Sequence, residues 1–162
     1  MYRFRCLPMP TATAARWRTT GLDDRGNPLI ERRVERTPGG ASFPCRHCLN
    51  YGSDGDVMLL GSLDLPRPLG VYWTPSPIFV HAHECVRFDT LDVIAPTATG
   101  PDTLVSVRAY DAAQMCLYDL GQVTPGPGVE APLRRALDDP RTAFVNIHTA
   151  RPGCWLAGAE RV

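Results

Sequence analysis

The sequence contains no lysine: its 17 cationic side chains are all arginine, set against 17 acidic ones. Without an amine side chain, Schiff-base catalysis, a pyridoxal-phosphate anchor and the phosphate-cradling lysine of a P-loop are excluded. Catalysis would fall to thiols, imidazoles, carboxylates, hydroxyls or a metal. Net charge is also lacking, at +0, so nothing draws the chain electrostatically to nucleic acid or to an anionic membrane surface. Long apolar runs are missing too. No stretch approaches the ~18 apolar residues of a membrane span, and the start, Met1-Tyr2-Arg3-Phe4-Arg5-Cys6, has no apolar segment of the secretory kind. Six cysteines in 162 residues are too sparse for a disulfide scaffold. The expectation is a cytoplasmic protein with thiol or metal-thiolate cysteines and neither nucleic-acid nor membrane partners. Arginine in place of lysine, beside abundant Ala, Gly and Pro, fits a GC-rich bacterial genome.

What is present predicts one α+β domain over 1–162, mostly an antiparallel sheet with one or two helices. Tyr2, Phe4 and Cys6 alternate with Arg3 and Arg5, which predicts a half-buried strand. A helix is expected from Ala12 to Thr19, capped by Thr11 and ended by Gly21. Leu29–Arg36 reads as a charged edge strand, and Gly39-Gly40 as a break after it. Strands are predicted over Asp56–Leu63 and Ile78–His83, with the proline-rich stretch Leu65–Ser76 between them as a surface loop. Thr103–Tyr110, the polar turn Asp111–Gln114 and a return over Met115–Tyr118 predict a hairpin. Val129, Leu133 and Leu137 line one face of a second helix, where Pro132 fits only in the first turn. Thr142–His148 and Cys154–Gly158 read as the last strands, and Trp17, Trp73 and Trp155 as core or rim residues.

The constellation of chemical interest is Cys45-x2-Cys48 followed by His81-Ala82-His83-Glu84-Cys85. Thiolates and imidazoles are preferred zinc ligands, and a C-x2-C turn aims two sulfurs at one point. On an extended segment His81, His83 and Cys85 share one side. Cys45, Cys48, Cys85 and one histidine would complete a Cys3His structural zinc site, and spacing alone does not choose between His81 and His83. The glycine that usually follows a zinc knuckle is replaced by Leu49. Pro44-Cys45-Arg46-His47-Cys48 also matches half of a zinc deaminase motif, but the H-x-E half must precede the cysteines, and the order here is reversed.

A second cluster lies near the C-terminus. Asn146 and His148 share a strand face, and the turn Arg151-Pro152-Gly153 returns Cys154 toward His148. Such a pair can act as thiolate and general base. Arg46, Arg108, Tyr110 and Arg151 are candidates for holding an anionic substrate, since guanidinium binds carboxylate or phosphate in bidentate fashion.

Phe43-Pro44-Cys45-Arg46-His47-Cys48-Leu49, Ser76-Pro77-Ile78-Phe79-Val80-His81-Ala82 leading to Cys85, Val107–Asp111, and Asp139-Pro140-Arg141 running to Gly153-Cys154-Trp155 occur in that order. Together they resemble, from Tyr2 to Arg161, a bacterial domain-of-unknown-function family. Its pattern is P-C-R-x-C-L, F-V-H-A-x-x-C, R-A-Y-D and G-C-Y. Ser76 and Trp155 depart from the pattern's glycine and tyrosine. The resemblance implies a soluble single-domain protein without an established activity, and its H-A-x-x-C spacing favours His81 over His83. Two functions are therefore expected as alternatives. One is a small domain with a structural zinc. The other is an enzyme for a small anionic metabolite, in a bacterial biosynthetic pathway, using Cys154 and His148 or a metal.

Overall fold

The computed structural model describes residues 2–35 and 43–162. Chain order is β1 (Phe4–Leu7), α1 (Thr11–Thr20), β2 (Ile30–Arg33), β3 (Val57–Asp64), β4 (Pro75–His81), β5 (Leu104–Tyr110), β6 (Gln122–Pro125), α2 (Glu130–Asp138), β7 (Phe144–Thr149) and β8 (Trp155–Arg161). Two antiparallel sheets result, one of five strands in the order β1-β8-β7-β5-β6 and one of three in the order β2-β3-β4. The fold is α+β. Arg36, Gly39 and Gly40 lie outside the described residues.

Alternation decides which face of the large sheet is dry. Val105, Val107 and Ala109 on β5 and Val145 and Ile147 on β7 turn to one side, and Leu133, Ala136 and Leu137 of α2 cover them. Pro132 sits in the first turn of α2, where a missing N–H costs nothing. The second core lies over the small sheet, where Trp17 and Ala14 of α1 meet Met58, Ile78, Val80 and Trp155. Gly61 allows that crossing: a Cβ there would come within 2.9 Å of the Trp17 ring and 2.6 Å of Leu29. Trp155 belongs to β8 yet buries its ring in the small-sheet core, so it joins the two layers.

Several elements differ from expectation. Thr11 does not cap α1. Pro10 precedes the helix, Thr11 is its first residue, and its Oγ1 bonds His47 Nε2 at 2.9 Å. Gly21 does end the helix, at φ 68°, with its N–H donating to Trp17 O. The return of the predicted hairpin makes only one bridge, Tyr110 to Cys116, and then winds into a short helical turn at Tyr118–Leu120. The strands paired with β5 are β6 and β7. β4 begins earlier than predicted, at Pro75. Its prolines share the side of Phe79, whose carbonyl accepts from Arg46 N–H rather than from β3, so the missing donors fall on the free edge. The proline-rich stretch packs onto the large sheet, with the Arg67 guanidinium 4.4 Å from the Phe144 ring and 2.6 Å from Glu160.

Candidate metal centre

The turn after Phe43 runs beside the free edge of β4, with Cys45 bridged to Phe79. Within it Leu49 N–H donates to Cys45 O at 3.0 Å and Cys45 N–H to Asn50 O at 2.9 Å. Leu49 holds φ 55°, the left-handed conformation that glycine usually supplies, and its side chain is wholly buried in the large-sheet core. That backbone costs a leucine about 1–3 kcal/mol, which burial of its side chain, about 1.5–3 kcal/mol, offsets. The knuckle geometry thus survives without glycine.

Ligand atoms of Cys45, Cys48, His81 and Cys85 all lie within 4.8 Å of one another. Cys45 Sγ is 3.9 Å from Cys85 Sγ, and Cys48 Sγ is 3.6 Å from His81 Nδ1. His81 backbone N–H donates to Cys45 Sγ at 3.4 Å, a contact that stabilises a thiolate. The extended segment assumed beyond His81 does not form, because β4 ends there and the chain bends. Cys85 reaches the cluster by that bend. His83 is 57% exposed and turns aside, its Nε2 3.6 Å from Asp56 and its Nδ1 bonded to Glu84 O.

Asp56 was not distinguishable in the sequence. Its Oδ2 lies 3.3 Å from His81 Nε2, leaving Nδ1 toward the sulfurs. Carboxylate, imidazole and metal in that order fix the tautomer and ring orientation of a ligating histidine. Its carboxyl is held below the usual range, first by the Ser53 N–H and also by His81 and His83. Asp56, His81 and His83 also converge as oxygen and nitrogen donors, but they share His81 with the thiols, which are softer and of which Cys45 and Cys48 are buried.

Two further groups serve Cys85. His47 Nδ1 is 3.2 Å from its sulfur, and Arg18 Nη2 donates to it at 3.5 Å while Arg18 Nε donates to His81 O. A polar cleft of about 440 Å³, lined by Arg18, His47, Thr11 and Glu84, opens against this half-buried cysteine. Inside the cluster, hydrogen bonding from Cys48 and Cys85 pulls the Cys45 thiol far down, while hydrogen bonding with Cys45 and Cys85 pushes Cys48 up. The Cys45 and Cys85 sulfurs raise His81 to about 10. A divalent cation bound at this point would displace protons from its ligands.

The C-terminal candidates are divided between two places. Asn146 and His148 share a face of β7, with Arg108 opposite Asn146 on β5 and Tyr110 stacked on Phe144. His148 is buried, and its Nδ1–H donates to Gly153 O at 2.9 Å. Burial, then the Arg108 charge, lower it to about 4. No hydrogen bond joins it to Cys154 among the described residues. Cys154 instead lines a separate cavity with Arg46 and Arg151. Arg46 is buried, donating from Nε to Trp155 O and from Nη1 to Pro44 O, each at 2.7 Å.

Searches of curated proteins and of solved structures return no match to the chain. A family model described as a protein of unknown function (DUF1203) matches residues 42–161, a narrower span than Tyr2 to Arg161, leaving β1, α1 and β2 outside it. All four clustered cysteine and histidine residues fall inside the matched span, and the chain belongs to this family.

Proposed function

We propose that this chain is a small metal-binding domain in which Cys45, Cys48, His81 and Cys85 hold one structural zinc ion. The observation that carries the reading is the convergence of four ligand atoms within 4.8 Å on a turn, a strand end and a bend. The donor set fits the ion, since three thiolates and an imidazole are a usual tetrahedral complement. Zinc in this set leaves one net negative charge, and Arg18 beside Cys85 and Arg46 beside Cys45 answer it. Bound zinc would fasten the 45–48 turn to β4, which no covalent bond does, since the six cysteines are free. Free thiols and a thiolate metal site both suit a reducing cytoplasm. No helix among the described residues is long and apolar enough to cross a membrane. Metal analysis of protein purified without a histidine tag tests the reading. One zinc per chain is expected, and its absence after growth in zinc-replete medium would remove the proposal.

An enzyme built on a Cys154–His148 pair receives no geometric support, because His148 is engaged with Gly153 and buried on the sheet.

A further inference from the structure

A cavity of about 320 Å³ lies where the two sheets meet, walled by the Cys45 turn, β3, β4, the start of β5 and the Thr149–Cys154 connection. That volume is near the low end of small-molecule sites, about 300–1,000 Å³. Much of the wall is apolar, from Leu60, Phe79, Leu104 and Leu156. Against it stand two cations, Arg46 and Arg151. Arg46 is 2% exposed, and no carboxylate pairs with it or with Arg151 among the described residues. The Arg46 guanidinium donates only to backbone carbonyls, so on the cavity side its charge meets no carboxylate. Thr97 also lines the cavity, 1% exposed, and its Oγ1 has no hydrogen-bond partner. Buried polar atoms of native proteins are ordinarily satisfied. The lone acid on the wall, Asp102, is exposed and disfavours a polyanion.

We propose that this cavity binds a small organic monocarboxylate, its carboxylate held by Arg46 and Arg151 and its apolar body packed between the two sheets. The site is distinct from the metal centre and uses none of its four ligands. Cys154 is a wall residue here, and no bond to it is made or broken. Arg46 sits between two candidate ligands in sequence and also faces Cys45, so its charge has a second use. Arg151 is exposed and has none, which makes it the residue to change.

Benzoate, hexanoate and inorganic phosphate are the probes, added at millimolar concentration to the purified metal-loaded chain, with thermal unfolding and titration calorimetry as readouts. At least one carboxylate should bind and raise Tm, with phosphate weaker. Arg151→Ala should weaken that binding about tenfold or more and leave metal content unchanged. Alkylation of Cys154, followed by peptide mapping, should slow when the carboxylate is present in the parent protein and not in the variant. Thr97→Val supplies a second variant that adds no charge, and it too should weaken binding. Failure of both carboxylates to bind overturns the proposal, as does equal binding by Arg151→Ala or tighter binding of phosphate. None of these results bears on zinc stoichiometry, so the two proposals fail separately.

Discussion

Stripping the metal should lower the melting temperature by an amount that follows from chain connectivity. Metal in the proposed site would tie Cys45 to Cys85, 40 positions away, and Cys48 to His81, 33 positions away. A crosslink closing a loop of that length restricts the unfolded chain by roughly 4 kcal/mol. For a domain of this size each kcal/mol is worth about 2–4 °C, so loop closure alone corresponds to about 8–16 °C. Loss of metal–ligand bonds can only add to this. Circular dichroism melts before and after treatment with a strong chelator provide the measurement, with restoration by one equivalent of zinc as the control. Thiol titration in the same samples should gain three reactive sulfurs on chelation, those of Cys45, Cys48 and Cys85. A chelated sample that melts within about 3 °C of the untreated one, although its metal is shown to be gone, would refute the reasoning that the ion holds the fold.

Three other outcomes are expected. Asp56→Asn should weaken zinc affinity about 10- to 100-fold by freeing the His81 ring, whereas His83→Ala should change it little; competition with a chromogenic chelator reads both. Leu49→Gly relieves a strained backbone but empties a fully buried position, and at mid-range a loss of about 2–5 kcal/mol for the side chain exceeds a relief of about 1–3. Urea unfolding should therefore show net destabilisation with zinc still bound. His148 binds a proton less readily folded than unfolded, because its folded value is about 4 against an ordinary 6.5. Its contribution is therefore constant above neutral pH and turns against the fold as pH falls below about 6.5, by about 2 kcal/mol at pH 5. His148→Gln should flatten the difference between urea midpoints measured at those two ends of the range.

Thiols and imidazoles are scarce in this chain, six and four residues respectively, and scarcity is why the cysteine and histidine cluster could be picked out before any coordinates. Its surroundings could not. Asp56 is one acid among many, and Arg18 and Thr11 lie on a helix whose apolar face is too thin to announce a role. Leu49 breaks the glycine habit of a knuckle, and only its burial explains why the turn holds. The continuous apolar run Val57–Leu60 marked β3, and alternation marked β1, where Phe4 and Cys6 are buried between half-exposed neighbours. It missed β6, where Gln122-Val123-Thr124-Pro125 is short, mostly exposed and bounded by turn residues. The same rule overextended β4 to His83, since nothing local signals where a strand must bend to bring Cys85 home.

The position of β8 has a consequence for synthesis. It lies between β1 and β7, the first and the next-to-last strands of the five-stranded sheet. While the chain is still emerging from a ribosome, β1 has only the bridge from Arg5 to Leu91 and no strand of its sheet beside it until residues 155–161 appear, so the large sheet stays incomplete. The small sheet and all four proposed ligands are made by residue 85. The proposed ligands therefore emerge before β5–β8, whose core anchors Leu49, and a bound ion would guard three thiols through that interval.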